Sequence, residues 1–218
     1  MNSYTIRRAT IQDIPFLVET IIEAEKSGSE RLSYATIFGL SIQETNDCLQ
    51  KILQEEIDGC ELSLSSFLVA ERHGEIAAAV GAWLEGEEGV SSTSMKGSLL
   101  ACTLPLEVIK RASTISNIIG ELHIEVARGV LQIGLVYVSP DHRGNNLTQQ
   151  LIKAQIERSK SKMDTLTEVH VQVFGNNLPA IRVYEKCGFK KIGEVECSTD
   201  AILDYLPGRS KILMKLGV

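Results

Sequence analysis

The sequence has no run of about 18 apolar residues, so it offers no transmembrane helix. Its opening stretch, Met1 to Arg8, lacks the apolar core of a secretory signal. There is no surplus of positive charge: 22 Lys and Arg stand against 28 Asp and Glu, a net charge of −6. That balance argues against a general binder of nucleic acid or anionic membranes and suits a cationic small molecule better. The five cysteines (Cys48, Cys60, Cys102, Cys187, Cys197) form no C-x-x-C, and the four histidines do not group with them at zinc-ligand spacing. The expectation is a cytoplasmic protein with reduced thiols and no metal. No internal repeat is evident. With 44% hydrophobic residues in 218, most of the chain has the means to fold, and the length suits a single domain, 1–218.

Several segments announce their structure. Tyr4–Ala9 alternates like a short strand, and Thr10 with Asp13 caps a helix bearing Ile14, Leu17, Val18, Ile21 and Ile22, closed by Ser27-Gly28-Ser29. Ser41 and Glu44 form a capping box for a second helix, whose apolar stripe is Ile42, Cys48, Leu49, Ile52, Leu53 and Ile57, with Gly59 as its stop. Phe67–Ala70 and Ile76–Trp83 flank the turn Arg72-His73-Gly74 and read as an antiparallel hairpin. Glu85–Ser98 reads as a loop, and Leu106–Ile119 as one helix after Pro105. Residues 85–127 are therefore expected to be an insertion between two strands.

The pattern sharpens from Val130. A strand to Val138, a helix over Asn145–Lys162, a strand over Glu168–Phe174 and a helix over Pro179–Cys187 follow, and strands at Phe189–Glu196 and Lys211–Leu216 close the chain. Strand–helix–strand in this order implies a parallel pair, and the whole reads as α/β with a mixed sheet flanked by helices.

Two segments are expected to carry the chemistry. Val138 to Thr148 joins a strand to a helix N-terminus, where backbone N–H groups lack intrahelical partners and the helix dipole favours anions. Gly144 permits close approach and Arg143 adds a cation, so the turn can cradle a diphosphate. It is neither a Walker loop nor a G-x-G-x-x-G dinucleotide turn. The second segment, Asn177 to Phe189, follows the next strand directly and places Tyr184 on a short helix.

Together these motifs resemble the GNAT superfamily of acetyl-CoA-dependent N-acetyltransferases. The family pattern V-x-P-x-x-R/Q-G-x-G-x-G/A is similar to Val138–Thr148, and N-x-x-A-x-x-x-Y-x-x-x-G-F is matched at Asn177, Ala180, Tyr184, Gly188 and Phe189. The resemblance implies a mostly antiparallel sheet splayed at one parallel pair, with the pantetheine arm of acetyl-CoA in the gap against backbone near Val136 and Val138. It places the diphosphate on the N–H groups of Arg143, Gly144, Asn145, Asn146, Leu147 and Thr148, and Asn177 beside the arm. Tyr184 is implied as the general acid for the departing CoA sulfur, since an ordinary phenol is protonated near neutrality. Two departures stand out: Asn146 and Thr148 occupy positions where the family favours glycine or alanine. Asn146 tolerates a left-handed backbone better than most residues and is expected to keep the turn.

No general base is read from the sequence. Gln132 stands where some members carry a glutamate, and Glu121, His123 and Glu125 lie in the expected insertion. Glu194, Glu196, Asp200 and Asp204, near the closing strands, are acidic candidates for an acceptor pocket. Cys187 has no histidine partner at hand, which disfavours a covalent intermediate. The implied function is acetyl transfer to a primary amine (a metabolite, an antibiotic, a polyamine or a protein N-terminus), with a homodimer open on general frequency alone. The alternative is a non-catalytic acyl-CoA-binding module of the same fold. Residues 136–191 hold nine basic and five acidic side chains, a net +4, whereas the rest hold 13 and 23, a net −10. The basic portion coincides with the expected polyanion site.

Overall fold

The computed structural model describes residues 3–218. Seven strands form one sheet in the order β1-β2-β3-β4-β5-β7-β6: β1 (Thr5–Arg8), β2 (Phe67–Arg72), β3 (Glu75–Leu84), β4 (Leu131–Val138), β5 (Glu168–Phe174), β6 (Lys190–Glu196) and β7 (Ser210–Gly217). Every neighbouring pair is antiparallel except β4 with β5. The helices are α1 (Ile14–Lys26), α2 (Ser33–Phe38), α3 (Ile42–Gln54), α4 (Ser92–Thr103), α5 (Leu106–Ser113), α6 (Ser116–Gly120), α7 (Leu147–Lys162) and α8 (Leu178–Lys186). Among the described residues none is long and apolar enough to cross a membrane.

Alternation along the strands sends side chains to two cores. On one face Leu131, Ile133, Val169, Val171 and Met214 meet Leu147, Leu151 and Ile152 of α7 and Tyr184 of α8. On the other, Phe67, Val69 and Ala79 meet α1, α3 and α4 through Leu17, Ile21, Leu49, Ile52, Leu53 and Leu99. The capping boxes at Thr10 and Ser41 form as expected. In the first, the Thr10 N–H donates to Asp13 Oδ2 at 2.7 Å, and the helix that follows ends on left-handed Ser27 (φ +51°).

Three expectations are corrected and one element is new. The stripe on α3 is narrower than expected: Ile42 and Ile57 are exposed, and the helix ends at Gln54, before Gly59. The short helix α2 is not signalled by any periodicity. Part of the expected loop 85–98 is helical, because Ser91 accepts from the Ser94 N–H and the Glu85 carboxylate takes the Ser92 N–H (2.9 Å) and hydroxyl (2.6 Å). The expected single helix over 106–119 breaks into α5 and α6. There the hydroxyls of Ser113, Thr114 and Ser116 bond the carbonyls of Lys110, Arg111 and Ser113, competing with the helix ladder.

Two details of β4 shape the centre of the molecule. Its pairing with β5 covers only Leu131↔Val169 to Ile133↔Val171, after which the two strands part. Its pairing with β3 slips between Val80↔Val136 and Gly81↔Gly134, leaving Leu135 as an extra residue at φ +50°. A left-handed leucine in a strand is strained by on the order of 1–3 kcal/mol. The resulting bulge bends β4 where it leaves β5, so residues 134–138 have a strand partner on the β3 side alone.

Candidate active site

The parted strands open a cleft of about 820 Å³ that runs between the sheet, α1, α2, α4 and the segment after α6. Of the cofactor-site residues expected from the sequence, Val136, Asn177 and Tyr184 line it. Val138 and the turn 143–148 do not; they lie where β4 ends and α7 begins, exposed from Arg143 to Asn146 with Leu147 buried in the core.

Tyr184 is buried on α8, its ring edge-on to Phe189 with centroids 5.9 Å apart. The apolar spacing of α8 turns it inward, and the Asn177 side chain starts the helix by accepting from the Ala180 N–H at 3.2 Å. Burial, with Cys187 adding a smaller contribution, pushes the Tyr184 phenol well above its ordinary range. It is therefore protonated at neutral pH. Asn177 also donates to Ser27 Oγ at 2.9 Å, tying α8 to the end of α1.

In the turn before α7 the N–H groups of Gly144, Asn145, Asn146, Leu147 and Thr148 have no protein acceptor among the described residues. Gly144 sits at φ +82° with nothing within 4 Å of where a Cβ would stand, which leaves the backbone open to a ligand. Asn146 is left-handed at φ +58° and closes the turn where the family favours glycine. The Arg143 N–H is committed to the Pro140 carbonyl (3.2 Å), which corrects its expected place in the cradle. Its exposed guanidinium, held by the Val138 carbonyl at 3.3 Å, remains as a cation. His142 anchors the turn from beneath: it is buried and its Nδ1 meets the Tyr4 hydroxyl at 3.0 Å. No local spacing signals that contact, made across 138 residues of chain. These free N–H groups at a helix N-terminus, beside a fixed cation, fit a diphosphate.

The acidic candidates are redistributed. Glu194 pairs with Lys191, and Glu196 and Asp200 pair with Arg209; neither they nor Asp204 line the cleft, which corrects their expected role. Glu121 is turned to the Ser198 N–H at 2.7 Å. His123 and Glu125 do line the cleft, as does buried Gln132. The cleft also holds residues the sequence did not single out: Glu25 from α1, Tyr34 from α2, Glu61 before β2, Trp83 from β3, Lys96 from α4 and Lys211 from β7. Lys96 Nζ pairs with Glu61 Oε1 at 2.7 Å. The Trp83 indole lies over Gly134, where an added Cβ would come within 2.9 Å of it. Burial pushes the Cys187 thiol up, leaving it a poor nucleophile.

A mixed sheet parted at its one parallel pair, with free N–H groups in the turn where β4 hands over to α7, suits a ligand with an extended arm and an anionic end. Residues 40–189 match the Acetyltransferase (GNAT) family, and the chain belongs to it. No curated protein sequence matches the chain significantly. Among solved structures, an N-acetyltransferase from Staphylococcus aureus Mu50 superposes with a TM-score of 0.68 at 16% identity, over 97% of this chain and 100% of that one. A Drosophila melanogaster polyamine N-acetyltransferase gives 0.58 at 15%, over 99% and 100%. An aminoglycoside acetyltransferase, AAC(6')-Ib, in complex with coenzyme A gives 0.52 at 18%, over 99% and 95%. At these identities the likeness is one of fold.

Proposed function

We propose that this protein transfers an acetyl group from acetyl-CoA to a primary amine by direct attack, with Tyr184 as general acid. The observation that supports it most is Tyr184 itself: a protonated phenol on the wall of the cleft that the parted strands open. When bound, acetyl-CoA supplies an activated acyl thioester. The N–H groups of Gly144 to Thr148 and the Arg143 guanidinium would hold its diphosphate. The unpaired backbone edge around Val136 and Val138 would bind the amide-bearing arm, with Asn177 beside it. The neutral amine forms the new N–C bond as the C–S bond breaks. The sulfur takes the Tyr184 proton, and the proton lost from nitrogen leaves to cleft water.

The whole chain, 1–218, then acts as one catalytic domain, with residues 85–127 as an insertion that walls the acceptor side. Five free thiols suit a cytoplasmic enzyme. Substituting Tyr184→Phe should lower kcat by about 100-fold while acetyl-CoA binding changes less than about threefold. Release of CoA measured over a panel of amines checks the first value and titration calorimetry the second; an unchanged kcat removes Tyr184 from the mechanism. Gln132, an amide where some relatives carry a carboxylate, favours the second reading, a binding module without turnover. Tight acetyl-CoA binding with no CoA release for any amine would establish that reading instead.

A further inference from the structure

The cleft brings together four charged side chains from α1, the turn before β2, α4 and β7: Glu25, Glu61, Lys96 and Lys211. Two of them satisfy each other, since Lys96 and Glu61 are in contact at 2.7 Å. Among the described residues the other two, Glu25 and Lys211, form no ion pair with any residue. Lys211 rests over the Phe174 ring, its Nζ 5.3 Å from the centroid, and Phe174 also lines the cleft. Each of the two is felt by the others electrostatically, and Ser33 hydrogen-bonds the Glu25 carboxyl, yet no cation closes on Glu25 and no anion on Lys211. Burial, then Glu61, raises the Glu25 carboxyl; burial, then Lys96, lowers the Lys211 ammonium. Both charges are held at a cost that a partner of opposite sign would offset. Tyr34 stands in the same wall, 6% exposed, and its hydroxyl has no hydrogen-bond partner.

A polyamine offers only cations and would leave Lys211 opposed. A carboxylic acid without an amine would leave Glu25 opposed. A ligand carrying both an ammonium and a carboxylate satisfies the two at once. We propose that the acceptor is a zwitterionic amine, an α-amino acid or a molecule ending like one, with its carboxylate on Lys211 and its ammonium on Glu25, the attacking nitrogen giving one proton to cleft water before it reacts as the neutral amine. The inference rests on the acetyltransferase reading only in making this ligand the acceptor.

The test uses matched pairs that differ by one carboxylate: lysine with cadaverine, ornithine with putrescine, arginine with agmatine, and tyrosine with tyramine. For at least one pair, kcat/KM with saturating acetyl-CoA should favour the amino acid by about 30-fold or more. In Lys211→Met, which keeps the stem packed on Phe174, that preference should collapse to within about threefold, while Lys211→Arg should retain most of it. If no amine is acetylated, the acetyltransferase reading fails, and calorimetric titration of the same pairs into the full chain still decides the site. Tighter binding of the amino acid, lost in Lys211→Met and weakened in Glu25→Gln, sustains it. Equal or better use and binding of the decarboxylated partner in every pair overturns it. So does a Lys211→Met protein, folded by circular dichroism, that weakens both members of a pair alike.

Discussion

At the scale of single residues, charge decides much of what is held where. Asp13 is 5% exposed, yet it is the partner of Arg7 at 2.6 Å, while Arg7 also meets Glu71 at 2.7 Å. Burial alone would raise the Asp13 carboxyl; the hydrogen bonds from Arg7 and from the Thr10 backbone and hydroxyl outweigh it and hold the group below its usual value. A depressed folded pKa gives stability that is complete above the unfolded value of about 3.9 and lost as pH falls through the folded one. Replacing Asp13 with Asn should therefore destabilise the protein at pH 7 by on the order of 3 kcal/mol. It should also flatten the acid limb of stability against pH, read from urea midpoints between neutrality and acid. An acid limb as steep as that of the parent would remove Asp13 from that account.

Elements show where backbone geometry matters more than side-chain identity. The turn before α7 uses Asn146 at φ +58°, a conformation glycine adopts freely and alanine does not. Asn146→Gly should leave stability within about 0.5 kcal/mol and keep acetyl-CoA binding, whereas Asn146→Ala should lower stability by about 1 kcal/mol and weaken binding. Thermal unfolding with and without acetyl-CoA separates these outcomes. The bulge at Leu135 belongs to the same scale. No composition or alternation marks an extra residue in Leu-Gln-Ile-Gly-Leu-Val-Tyr-Val, because the signal lies in the pairing with β3, not in β4 alone. Its consequence, the parting of β4 from β5, could be expected only through resemblance to a family.

For the molecule as a whole, the helix layer must be fixed to the sheet for the cleft to keep its shape. Gln155 on α7 ties that helix to the sheet from a buried position, its Oε1 also accepting from Arg158 at 3.3 Å. It is 1% exposed, and its amide donates at 2.8 Å to both the Ser66 and the Val80 carbonyls. Gln155→Leu would leave two buried carbonyls without a donor and should cost about 2–3 kcal/mol. A urea midpoint unchanged by the substitution would show that water takes over those bonds.

The charge division of the sequence also resolves at this scale. The acidic side chains lining the cleft (Glu23, Glu25, Glu61, Glu85 and Glu125) all come from the acidic portion of the chain, and the 136–191 portion contributes no charge to that wall. Yet Lys96 and Lys211, from the acidic portion too, also line it, so the acceptor side is mixed in sign rather than simply acidic.

By itself the sequence determined the strand and helix order from Val130 onward, the two capping boxes, the hairpin and the anion-ready turn. Each is written in local spacing, which neighbours along the chain enforce. Tyr184 and Asn177 were legible for the same reason, through a motif confined to one strand end and one helix. Tertiary structure alone decided the bulge, the helix in 92–103, the anchoring of His142 by Tyr4 and the meeting of Glu25, Glu61, Lys96 and Lys211. Those four lie on separate segments up to 186 positions apart, and burial and charge pairing act through space, where sequence distance carries no weight.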